Sequence, residues 1–225
     1  MVQALRAEHG MGAMDPERIR ASVSNGARAL VTLGLGIEET APEFEEKRLR
    51  LLELYGRVLG SAAQPYPGIA ELLAELAARS IGWGVSTNKP RAYAEPLLRA
   101  LGMLPRADAP NAPAGARYAD DRADSALLRQ QTFPPCGSLV CPDDVQHRKP
   151  HPESLYRNCR ELGCKPFEAI YIGDHLRDIE AGRRAGMYTV AAAYGYIESG
   201  DDPAGWRADA IAGRSTDLAS LVLAL

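Results

Sequence analysis

From residue 69 onward the sequence alternates between two hydrophobic periods, and that alternation decides what the chain can fold into. Short apolar runs read as strands at "IGWGVST" (81–87), "GSLVC" (137–141), "AIYIG" (169–173), "MYTVAAA" (187–193) and "ADAIA" (208–212). Helical stretches stand between them, at 69–79, from Pro90 to Leu101, from Pro152 to Leu162, on to Ala185, and at 216–224. Strands alternating with helices specify an α/β fold, a parallel sheet covered on both faces. Ligands of such sheets sit outside the carboxyl ends of the strands. Polar residues at strand ends are therefore the candidates for function.

Ahead of this region the pattern is helical only. Asp15-Pro16-Glu17 is a helix start, with Asp as cap and Pro at the first helical position. Pro42 to Leu59 carries apolar residues at helical spacing, and "QPYPG" (64–68) then breaks it with two prolines and a glycine. Residues 1–64 are expected to form a helical unit, with 1–10 as the tail of a helix belonging to the sheet region, and 65–225 the α/β unit. The stretch 105–135, rich in Ala, Pro, Asp and Arg, is expected to be a largely disordered insertion with a short helix at 122–131. Net charge is -3, from 26 basic and 29 acidic residues without long blocks of one sign, which argues against nucleic acid or an anionic membrane as partner. No signal-type or membrane-spanning apolar stretch is present, and the expected location is the cytoplasm. Cys136 and Cys141, taken with His147 and His151, match no common zinc module, and all four cysteines, with Cys159 and Cys164, read as reduced thiols.

Three strand ends carry chemistry. At "STNKP" (86–90), the Thr87 hydroxyl and neighbouring backbone N–H groups suit a phosphate; Thr87 or Asn88 could equally cap the helix opening at Pro90. At "HRKPHP" (147–152), Lys149 is held between extended proline-flanked backbone and could aim a point charge at the strand ends, or be an exposed basic loop residue. At "IYIGDHLRD" (170–178), Asp174 follows a strand directly and Asp178 lies one helical turn on, on the same face. Two such carboxylates suit Mg²⁺, which takes few protein ligands and keeps several waters; they would also serve as a cap and a helix-dipole carboxylate.

Taken together, a Thr at one strand end, a Lys before Pro, and Gly-Asp-x-x-x-Asp at the next strand end resemble the haloacid dehalogenase superfamily of phosphohydrolases. The helical segment before "PYPGI" looks like that family's α-helical cap. Within the superfamily, "SNGARAL" (24–30), "WGVSTNKP" (83–90), "CPDDV" (141–145), "GDHLRDIEAG" (173–182) and "YGYIESGDDPAGWRAD" (194–209) are similar to the bacterial N-acetylmuramate 6-phosphate phosphatases of peptidoglycan recycling. The resemblance implies a Rossmann-like parallel sheet with an N-terminal helical cap, and Mg²⁺-dependent hydrolysis of a small-molecule phosphate ester. It implies that Thr87, Asn88 and Lys149 act on the phosphoryl group, that Asp174 and Asp178 serve the metal, and that Lys89 and Arg28 bind substrate. It also implies a nucleophilic aspartate in an Asp-x-Asp pair ending a first, central strand, and no aspartate precedes Asp15. Two expectations follow: a native chain longer by about one strand, or a non-catalytic phosphate-binding protein. Phosphoglycolate is the alternative substrate.

Overall fold

The computed structural model describes residues 1–61, 63–104, 133–198 and 200–224. It divides into two compact units, one of residues 1–59 with 195–202, the other of 60–194 with 203–225.

The first unit is helical: α1 (Val2–Glu8), α2 (Pro16–Ala21), α3 (Gly26–Leu35) and α4 (Phe44–Val58). α2 begins as its sequence dictates, with the Asp15 carboxylate accepting from Glu17 N at 3.0 Å and Pro16 at the first position. Phe44, Leu51 and Leu54 recur on one face of α4 and meet Val2, Leu5, Leu30 and Val31 in a single core.

The second unit contains every strand among the described residues, in the expected order: α5 (Ile69–Ala78), β1 (Gly84–Ser86), α6 (Arg91–Ala100), β2 (Ser138–Val140), α7 (Glu153–Leu162), β3 (Ile170–Gly173), α8 (Leu176–Ala185), β4 (Tyr188–Ala192), β5 (Ala210–Ala212) and α9 (Leu218–Leu223). All pairings are parallel. The strands are shorter than their apolar runs, and they form two sheets, β1-β2 and β3-β4-β5. Among the described residues β1 and β3 thus each keep one edge without a partner strand. Of the insertion expected at 105–135, residues 105–132 lie outside the described residues, as does the helix expected at 122–131. Its end is not loose: Phe133 is buried with Leu98 and Met103, and Trp83 Nε1 donates to Pro134 O at 3.1 Å.

Close backbone approach fixes α8 against its sheet. A Cβ at Gly182 would lie 2.6 Å from Thr189 Cγ2, so only glycine lets the helix sit this near β4. The sheet is locked at its other side by Thr189, fully buried, whose N and Oγ1 both donate to Asp209 Oδ2, at 2.8 and 2.7 Å.

Candidate active site

The carboxyl ends of β1 and β3 bring together Asn88, Lys149 and Asp178 of the residues singled out in the sequence. Lys149 is the centre. Its Nζ donates to Ser86 O at the end of β1 at 2.8 Å, to the Tyr171 hydroxyl on β3 at 2.7 Å, and pairs with Asp178 Oδ1 at 2.8 Å. The ammonium therefore bridges the two sheets where, among the described residues, no strand joins them. Its side chain is 7% exposed and that of Asp178 10%, so the exposed-loop alternative for Lys149 is excluded. Burial acts to lower the Lys149 pKa; the Tyr171 oxygen and the Asp178 carboxylate outweigh it and leave it above the ordinary lysine value. Burial raises the Tyr171 pKa, although Lys149 opposes it.

Local structure sets this up. Asn88 Nδ2 donates to Lys149 O at 3.3 Å, tying the lysine loop to the β1 end. Thr87 N donates to Val140 O, which extends the β1–β2 ladder by one bond, and Thr87 Oγ1 accepts from Lys89 N at 3.0 Å. A hydroxyl that accepts in this way keeps its own hydrogen to donate. Neither Thr87 nor Asn88 caps the next helix: Arg91 N, at the start of α6, donates instead to Asp143 Oδ2 at 2.7 Å. Asp144 is likewise structural, accepting from Cys141 N at 2.8 Å and from the Arg91 guanidinium.

The β3 end resolves the two carboxylates. The cap of α8 is His175, whose Nδ1 accepts from Arg177 N at 3.2 Å; the ring stacks against buried Trp206 with centroids 6.5 Å apart. Asp174 is not the cap. It lies half-buried at the strand end, close enough to act with burial and Tyr66 in pushing the Tyr194 hydroxyl up to about 12. Asp178 reaches Lys149 over a glycine: a Cβ at Gly173 would stand 2.2 Å from Asp178 Cβ.

Not every sequence candidate joins this cluster. Arg28 lies in the first unit, on the surface, paired with Glu39 at 3.0 Å and more distantly with Glu45. Lys89 enters through its backbone turn onto Thr87. Conversely, the sequence does not mark Tyr171 or Ser154. A tyrosine inside an apolar strand reads as a good β-former, and nothing nearby in sequence marks its hydroxyl as the partner of a lysine 22 positions away. The Ser86 hydroxyl donates to Ser154 Oγ at 2.8 Å and so joins β1 to α7.

Comparison with known proteins places the chain in one family. Residues 3–186 match the family model described as haloacid dehalogenase-like hydrolase. The chain is 39% identical over 218 residues to the N-acetylmuramic acid 6-phosphate phosphatase of Pseudomonas aeruginosa, covering 97% of this chain and 84% of that one. It is 31% identical over 216 residues to a phosphoglycolate phosphatase of Xanthomonas campestris pv. campestris, covering 93% and 81%. Among solved structures, a predicted phosphoglycolate phosphatase from Haemophilus somnus superposes with a TM-score of 0.73 at 21% identity, covering 98% of this chain and 88% of that one. Sequence match and fold agree: this chain belongs to the haloacid dehalogenase-like hydrolases.

Proposed function

We propose that the protein is a Mg²⁺-dependent phosphomonoester hydrolase of sugar phosphates, acting on N-acetylmuramate 6-phosphate in the cytoplasmic recycling of peptidoglycan. The observation that carries the chemistry is the buried Lys149 ammonium fixed between β1 and β3 by Ser86 O, Tyr171 and Asp178. Phosphoryl transfer is won mainly by positioning and by charge placed in advance, and a lysine held by three partners needs no reorganisation to supply it. In this reading Thr87 donates its hydroxyl hydrogen, with Asn88 beside it, to phosphate oxygens. Lys149 neutralises phosphoryl charge, and Asp178 keeps Lys149 in place.

The donor set at the β3 end fits a hard cation. Asp174 and Asp178 are carboxylates at one strand end, the number and type that Mg²⁺ takes while keeping its waters. Asp174 would hold the ion directly, since Asp178 Oδ1 is engaged by Lys149. Bound Mg²⁺ would add positive charge against the phosphoryl oxygens. The phosphoryl acceptor in the family pattern is an Asp-x-Asp aspartate, which these 225 residues do not provide ahead of Asp15.

The substrate rests on the relatives: identity to the N-acetylmuramic acid 6-phosphate phosphatase is 39%, against 31% for the phosphoglycolate phosphatase. The test uses the protein as its own cells make it, with Mg²⁺ and both phosphates. Expected is a kcat/KM for N-acetylmuramate 6-phosphate about tenfold or more above that for phosphoglycolate, equivalent to one well-placed contact. Equal or better turnover of phosphoglycolate overturns the substrate. Mg²⁺-dependent binding of both without turnover of either overturns the hydrolase assignment in favour of a phosphate-binding protein.

A further inference from the structure

Two of the four histidines in this chain meet on the loop that carries Lys149, together with a carboxylate that the sequence pattern did not connect to them. Glu153, the first residue of α7, accepts from Gln146 N at 2.9 Å and from His147 N at 3.0 Å, and so folds residues 146–153 back on the helix start. The fold-back brings the rings of His147 and His151 to 4.5 Å between centroids, tilted by 37°. Glu153 Oε2 lies 3.0 Å from His147 Nδ1 and 3.9 Å from His151 Nδ1. One ligand atom from each of the three residues falls within 4.8 Å of the others.

These spacings lie within a side-chain rotation of a coordination shell. Bonds of 2.0–2.1 Å at a tetrahedral ion place neighbouring ligand atoms about 3.3 Å apart, between the two observed separations. Both histidines are exposed and Glu153 is partly so, leaving open positions for water. Two imidazoles and one carboxylate are the donor set of borderline ions such as Zn²⁺, Co²⁺ or Ni²⁺, whereas Mg²⁺ prefers oxygen alone.

We propose that His147, His151 and Glu153 form a binding site for one divalent transition-metal ion, separate from the carboxylates Asp174 and Asp178. The ion takes the place of the proton that now joins His147 Nδ1 to Glu153, and of the long 3.3 Å contact from Glu153 N to His151 Nδ1. Because residues 147 and 151 flank Lys149, occupancy ties down the outer side of the loop whose inner side holds the ammonium. The site does not depend on the hydrolase assignment.

The test is a Co²⁺ titration of the 225-residue protein without a histidine tag, in excess Mg²⁺, followed by visible absorption and reversed by Zn²⁺. One equivalent of Co²⁺ is expected to bind. His147→Ala and His151→Ala should each weaken it by at least about tenfold, the cost of losing even an outer-shell partner, while Asp174→Asn leaves it unchanged. In parallel, Zn²⁺ should shift the NMR ring signals of His147 and His151 in the unmutated protein and leave those of His9 and His175 in place, a readout independent of whether any variant folds. Unchanged Co²⁺ affinity in both histidine variants, loss of binding in Asp174→Asn, or Zn²⁺ shifts confined to His9 and His175 would overturn the site.

Discussion

At the scale of single residues the site is an exercise in desolvation. Lys149 and Asp178 have been taken out of water: the ammonium is satisfied by Asp178, the Tyr171 oxygen and Ser86 O, and the carboxylate is paired with the ammonium. Lys149→Met therefore leaves a buried carboxylate alone and should cost about 3–5 kcal/mol in urea unfolding. The double variant Lys149→Met/Asp178→Leu should recover most of that stability while phosphate binding stays lost. That outcome separates the pair's structural role from the proposed role of the charge; recovery of phosphate binding along with stability would contradict it. Gly173→Ala acts on the same pair from the backbone side. Its new Cβ meets Asp178 Cβ at 2.2 Å and Cγ at 2.8 Å, neither of them a flexible end. A loss of about 1–3 kcal/mol is expected, with weaker phosphate binding because Asp178 must leave Lys149. Thr87 and Asp174 drew attention in the sequence because each directly follows an apolar run; Lys149 and Asp178, each with a local structural alternative, stood out only through the family pattern. Tyr171 did neither, because a tyrosine in a strand has an adequate structural reason already.

At the scale of elements, caps and breaks were legible and pairings were not. Asp15-Pro16 starts α2 as its chemistry requires, whereas the α6 cap comes from Asp143, 52 residues away from Arg91, and could not be read locally. The same holds for β4 and β5, whose junction rests on Thr189 and Asp209. Thr189→Val keeps the shape and removes one hydroxyl donor to the carboxylate. Because Asp209 is exposed to water, the expected cost is modest, about 1 kcal/mol by thermal or urea unfolding. Faster hydrogen exchange should be seen at the β4–β5 amides and not within the first unit.

At the scale of the whole molecule, the shifted groups of the second unit set a pH dependence. Lys149 and Tyr171 both hold their protons more tightly folded than unfolded. Their contribution is complete below the unfolded values of about 10 and is lost as pH rises through the higher folded values. Melting temperature should therefore fall on the alkaline side, first through the raised thiols Cys136, Cys141 and Cys159 from about pH 9 and then through Lys149 and Tyr171 above about pH 10, the latter part falling less steeply in Tyr171→Phe. An identical alkaline profile for that variant would show that the Lys149 cluster does not control it. What the sequence determined by itself is the order of elements and which polar residues stand at strand ends. Those have causes within a turn or two of chain: periodicity, proline, glycine and capping side chains. What the tertiary structure decided is which of those residues meet: Lys149 with Tyr171 and Ser86, Asp143 with the α6 terminus, Glu153 with two histidines, and, among the described residues, two parallel sheets joined through Lys149 and Tyr171. These meetings join residues brought together by strand register, helix packing and loop folding, and the energy that selects them, burial of apolar surface and pairing of desolvated charge, is a property of the folded whole.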